Sequence, residues 1–139
     1  MFKAGHHGSP TSSNDCLLSV IQPKISVACC CAGSVEYTQN SANTFPSQAY
    51  IDRIAPYTDK VFVPVYIQTA FSQEKNKYVN DGEFIELNGN VMIRSLSESV
   101  DGNGQPVASK VVYVGSNNSL KLKDTDWFKN NRTMPLAWQ

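Results

Sequence analysis

The run Ile25-Ser26-Val27-Ala28-Cys29-Cys30 most restricts what this chain can fold into. It is nearly continuous in apolar character, which suits a strand covered on both faces, as in a sheet flanked by helices. A second such run is Lys60-Val61-Phe62-Val63-Pro64-Val65, where Pro64 marks a strand end or a sheet edge. Two short amphipathic segments alternate with these runs. Cys16-Leu17-Leu18 with Val20-Ile21 gives an apolar stripe that Pro23 ends, and Ser12 or Ser13 is expected to cap it. Ser47 is placed to cap Gln48–Ile54, with Tyr50, Ile51 and Ile54 as the inward face and Pro56 closing it. A β-α-β-α-β order with short links predicts an α/β fold with a parallel or mixed sheet and helices on it.

Beyond Val65 the pattern weakens. Residues 66–80 are polar and read as a loop or insertion. Glu83–Leu87 alternates, Asn88-Gly89 is a strong tight-turn signal, and Val91–Leu96 continues as a partner strand, so a β-hairpin is predicted over 83–96. Ser97–Pro106 reads as a linker and Lys110–Gly115 as another strand. Asp124 is expected to cap a short helix through Trp127-Phe128-Lys129-Asn130, and the apolar tail Met134–Trp138 to dock on the body. Residues 1–100 form the main unit, and 101–139 a strand and short helix packing on it.

Twelve basic and twelve acidic residues cancel, so there is no electrostatic footprint for nucleic acid or an anionic membrane. With 41% hydrophobic residues the 139-residue chain can bury a core. No run approaches the ~18 apolar residues of a membrane span. Met1 leads directly into the first motif, so no signal peptide is expected. The cysteines, Cys16 and Cys29-Cys30-Cys31, lack the Cys-x-x-Cys spacing of a zinc ribbon. They are read as small buried hydrophobes in a reduced setting, which favours a cytoplasm or an anaerobic host.

The chemistry concentrates in Lys3-Ala4-Gly5-His6-His7-Gly8-Ser9, followed by Thr11-Ser12-Ser13. It holds both histidines of the chain. Imidazole is the commonest metal-binding side chain and titrates near neutral pH. Adjacent side chains on an extended backbone point to opposite sides. His6 and His7 are therefore expected to divide the work, one binding a metal and the other meeting substrate.

Together with the helix and Gln22-Pro23-Lys24-Ile25-Ser26-Val27-Ala28, this segment resembles the late part of metallo-β-lactamase-fold hydrolases. The branch is the one shared by ComEC-type competence proteins and bacterial phosphorylcholine esterases. The resemblance is good over residues 1–65, loose over 81–97 and absent beyond about 100. It implies the C-terminal half of an αββα sandwich: a mixed sheet with helices on one face, plus a hairpin. It also implies one or two zinc ions, a phosphodiester or phosphoester substrate and metal-activated water. His6 and His7 are carried over as metal-binding and catalytic candidates; Ser9, Thr11 and Tyr37 are candidate substrate contacts.

Two departures qualify that implication. Where the family has a histidine in a second motif, this chain has Asn43-Thr44-Phe45-Pro46-Ser47, so Phe45 makes that wall apolar. The family's His-x-His-x-Asp-His cluster is missing, so the remaining ligands would come from an N-terminal half of the same fold or from a second copy. The substrate is then a small phosphoester or a cell-envelope phosphodiester, in a parent protein that could be exported or membrane-attached. The alternative is a non-catalytic structural or interaction module derived from that fold, which Phe45 mildly favours.

Overall fold

A computed structural model of the chain describes residues 1–35, 38, 40, 43–86, 90–94, 102–105, 110–113 and 119–139. The fold is mixed α/β. Strands β1 (Phe2–Lys3), β2 (Ser26–Val27) and β4 (Val61–Phe62) form a parallel sheet in the order β1-β2-β4. Helix α1 (Asp15–Ile21) links β1 to β2, and α2 (Gln48–Ile54) precedes β4. The ladder is carried by bonds such as Phe2 N–H to Ile25 O at 2.8 Å and Ala28 N–H to Phe62 O at 3.0 Å. A second sheet, β3-β5-β6, pairs β3 (Cys31–Ala32) parallel to β5 (Val65–Ser72), and β5 antiparallel to β6 (Lys77–Glu86).

Among the described residues, 83–86 do not pair with 91–94, the pairing that the predicted hairpin over 83–96 requires. Glu86 pairs with Val65 and Lys77 with Ser72, so the hairpin is β5–β6, and the stretch 66–80 read as a polar loop holds most of its two strands and its turn. Strand β7 (Val91–Arg94) instead pairs with β8 (Lys110–Tyr113), Val91 opposite Tyr113. The Asn88-Gly89 turn lies outside the described residues.

Alternation along β2 and β4 divides the core by face. Ala28, Val61 and Val63 join Tyr50, Ile51 and Ile54 of α2, while Ile25, Val27 and Phe62 form a cluster of their own. The first cluster also takes Leu122, Trp127, Phe128 and Trp138 from the C-terminal segment. The second is met by Val91, Ile93 and Leu120. The aromatic tail therefore thickens the α2 side, and strand β7 helps to cover the opposite face. Only Leu18 of α1 is buried; Leu17, Val20 and Ile21 stay exposed. Seven residues make barely two turns, too few to bury a full stripe.

Helix α2 follows its pattern. Ser47 Oγ accepts from Tyr50 N–H at 3.2 Å, and Tyr50, Ile51 and Ile54 are fully buried. The other two caps are Asn14, accepting from Leu17 N–H at 2.9 Å, and Thr125, accepting from Phe128 N–H at 3.2 Å. Ser12 and Ser13 do not cap α1, which begins one residue after Asn14; Ser12 Oγ donates to Ser9 O, and Ser13 Oγ accepts from Gly5 N–H. Asp124 closes the 3-10 turn Leu122–Asp124, one residue too early to cap α3 (Asp126–Asn131). A buried polar thread joins α2 to the sheet. Tyr50 Oη lies 2.6 Å from Ser26 Oγ, which donates to Phe2 O at 3.2 Å. Burial pushes the Tyr50 hydroxyl up to about 12, so it stays a donor at neutral pH.

The C-terminal segment is tied down by polar contacts too. Trp138 Nε1–H donates to Thr58 O at 2.9 Å, and Lys121 and Lys123 reach Asp59 at 2.6 and 3.0 Å. The hydrogen bond from Lys121 holds the Asp59 carboxyl below its ordinary value of 3.8. The folded-state pKa is depressed, so this stabilisation is present above the unfolded value and is lost as pH falls through the folded one. The pair is partly solvated, so Asp59→Asn is expected to cost only about 0.5–1 kcal/mol near pH 7. Urea melts of the two proteins should differ by that amount near neutrality and converge only as pH falls below the ordinary carboxylate range. A gap that persists in acid would assign the effect to something other than the carboxylate charge.

Candidate functional site

The histidine turn follows β1 directly, at the carboxyl end of the parallel sheet. In open α/β sheets that edge is where ligands bind, because the strand ends leave loops free to gather side chains. Three successive residues are left-handed: His6 (φ 41), His7 (φ 58) and Gly8 (φ 80). The extended backbone expected for the pair is therefore wrong. Left-handed residues other than glycine cost of order 1–3 kcal/mol each and persist only where the surroundings hold them.

Those surroundings are visible. Gly8 O accepts from Ser47 N–H at 2.8 Å and from Ser47 Oγ–H at 2.9 Å, fixing the turn to the start of α2. A Cβ on Gly8 would stand 3.0 Å from both Pro46 Cβ and Tyr50 Cδ1, so glycine is required by space as well as by φ. Arg53 on α2 closes the loop beyond. It donates to Pro10 O at 2.8 Å, Ser12 O at 2.7 Å and Ser13 O at 3.2 Å.

The left-handed turn brings the two imidazoles to one place. Their ring centroids are 6.0 Å apart, and Phe45 lies 5.6 Å from His6 and 5.9 Å from His7. Both histidines are exposed and Phe45 is half-buried. Thus Phe45 stands against both rings. His7 Nδ1 sits 2.5 Å from Cys29 O, just beyond the end of β2. A carbonyl can only accept, so Nδ1 carries a proton, and in the neutral imidazole Nε2 then holds the lone pair.

The other candidates are placed differently. The Ser9 hydroxyl is buried and lies 3.4 Å from Thr11 Oγ1, which is turn bonding; Thr11 itself is exposed. Tyr37 lies outside the described residues. Cys16 and Cys29 are exposed, and Cys30 and Cys31 half-buried, so the reading of all four as buried is corrected. Cys29 and Cys30 lie in the break between β2 and β3, and Cys31 begins β3. Burial, with Cys31 and Cys29 adding to it, pushes the Cys30 thiol far up, so it is a neutral thiol and a poor nucleophile at pH 7.

Among the described residues no three His, Cys, Asp or Glu side chains gather as a metal site. The donors in place are the two imidazoles. They fit part of a zinc site, which takes three protein ligands when catalytic and four when structural. The supports from Ser47, Arg53 and the Cys29 carbonyl were not anticipated. Their only local signal is Ser47, whose capping role was legible while its grip on Gly8 was not. Among the described residues no helix is long and apolar enough to cross a membrane. Comparison with protein-family models, with curated proteins and with solved structures gives no match for this chain.

Proposed function

We propose that the chain forms the C-terminal part of a metal-dependent phosphoester hydrolase built on the metallo-β-lactamase fold. The parallel β1-β2-β4 order, with α1 and α2 between its strands, is consistent with one half of that sandwich. The observation that carries the reading is the contact between His7 Nδ1 and Cys29 O at the carboxyl edge of that sheet. Metal-binding histidines are commonly oriented in this way, the second ring nitrogen donating to a carbonyl. His7 is assigned the metal through Nε2, and His6 the pocket. Zinc bound there supplies a Lewis acid for a phosphoryl oxygen and a water ionising near neutral pH. The remaining ligands belong to another segment of the same fold or to a second copy. A second reading, a non-catalytic module, is favoured by the apolar Phe45 ring that stands against both imidazoles.

Zinc titration tests the proposal. The 139-residue chain is expected to bind zinc more weakly than micromolar, since two donors do not complete a site. His7→Ala should weaken that binding by about 10–100-fold, with a smaller change for His6→Ala. Supplying a segment that bears His-x-His-x-Asp-His should tighten zinc binding and give turnover of a chromogenic phosphodiester. Zinc that perturbs neither imidazole, or a completed assembly that binds zinc without turnover, would move the case to the non-catalytic module.

A further inference from the structure

Arg132 follows α3 near the C-terminal side of the fold, far in sequence from the histidine turn. Its guanidinium donates from Nε to Pro46 O at 3.0 Å, and from Nη2 to Thr44 O at 2.7 Å and Thr44 Oγ1 at 3.0 Å. Nη1 donates to Asn131 O at 2.8 Å, and the group stacks 4.7 Å from the centre of the Trp127 ring. The carbonyls on both sides of Phe45 therefore end on one rigid fork. The carbonyl of Phe45 itself accepts from Gly33 N–H at 2.9 Å. Three consecutive carbonyls of the loop are thus held by protein donors, and the ring they present lies against His6 and His7.

We propose that Arg132 is a positioning residue for the imidazole pair, acting through Thr44, Phe45 and Pro46. The inference rests on reading that pair as the functional site. Burial lowers the Arg132 pKa to about 10, which still leaves it charged at neutral pH. It makes no ion pair among the described residues. A half-buried cation whose described bonds all run to neutral oxygens is costly, and only its planar, multiply donating geometry offsets the cost. Lysine keeps the charge and lacks the fork.

The test reads the imidazole carbon-bound protons of the metal-free 139-residue chain by NMR. Phe45→Leu removes the ring current and calibrates its contribution to the His6 and His7 signals. Arg132→Lys and Arg132→Gln are expected to lose most of that contribution, moving both signals toward the Phe45→Leu positions. Thr125→Ala removes the cap of α3 without touching the Thr44–Pro46 loop, and its imidazole signals should stay where the wild type has them. Unmoved signals in Arg132→Lys overturn the proposal. So does an equal displacement in Thr125→Ala, which would reduce Arg132 to general support of the tail. Because no zinc is added, failure here is separate from failure of the hydrolase reading, which the zinc titration judges.

Discussion

Deleting residues 120–139 should abolish cooperative folding. The segment contributes Leu122, Trp127, Phe128 and Trp138 to the cluster that holds Tyr50, Ile51 and Ile54. Burying a large apolar side chain is worth about 1.5–3 kcal/mol, so these four supply about 6–12 kcal/mol. The whole stability of a small domain is about 5–15 kcal/mol. The deletion also removes Arg132 from Thr44 and Pro46 and both lysines from Asp59. Circular dichroism of the truncated protein is expected to show a broad, non-cooperative melt, with aggregation in sedimentation. A sharp transition at the wild-type midpoint would show that the sheet and α2 are sufficient alone.

Gly33→Ala should also be strongly destabilising, although it adds one methyl group. Gly33 has φ +85, and an added Cβ would lie 2.1 Å from Trp127 Nε1 and 2.7 Å from its Cδ1. Trp127 is almost fully buried and carries Arg132 on its ring, so it has no vacant direction in which to retreat. The left-handed backbone costs about 1–2 kcal/mol in alanine, and overpacking about 1–3 kcal/mol more. A loss of about 2–5 kcal/mol in urea unfolding is expected, with the docking of α3 lost first. Gly5→Ala is the matched control. Its new Cβ would meet Ser12 Cβ at 3.5 Å, an ordinary contact. Equal stability losses in the two variants would mean that the Trp127 contact is not what makes Gly33 necessary.

What could be read from the sequence was what local chemistry decides. Helix α2 was legible because its cap, its inward face and its closing proline all lie within ten residues of chain. Apolar runs separated by helices made a parallel or mixed sheet legible, and β1, β2 and β4 take the parallel option. Strand pairing was less legible, because a register is a relation between distant residues. Asn88-Gly89 is a good turn signal, yet β6 pairs with β5 and β7 with β8. The caps were misplaced because Ser12, Ser13 and Asn14 are alike as capping residues, and only the point at which α1 begins selects Asn14. At the site, the histidines were conspicuous, but their left-handed backbone depends on Ser47 and on the crowding at Gly8.

The clamp on the Phe45 loop also has a consequence in time. Arg132 bonds to Pro46 and Thr44 across sequence separations of 86 and 88 residues. During synthesis at ~5–20 residues per second, the loop leaves the ribosome roughly 4–17 s before its clamp is made. Over that interval Ser47 and Gly8 are both already made, yet the cluster that seats α2 still waits for Leu122, Trp127, Phe128 and Trp138. For those seconds a chaperone would meet the histidine turn without the clamp on its aromatic wall, which arrives only with Arg132 after α3.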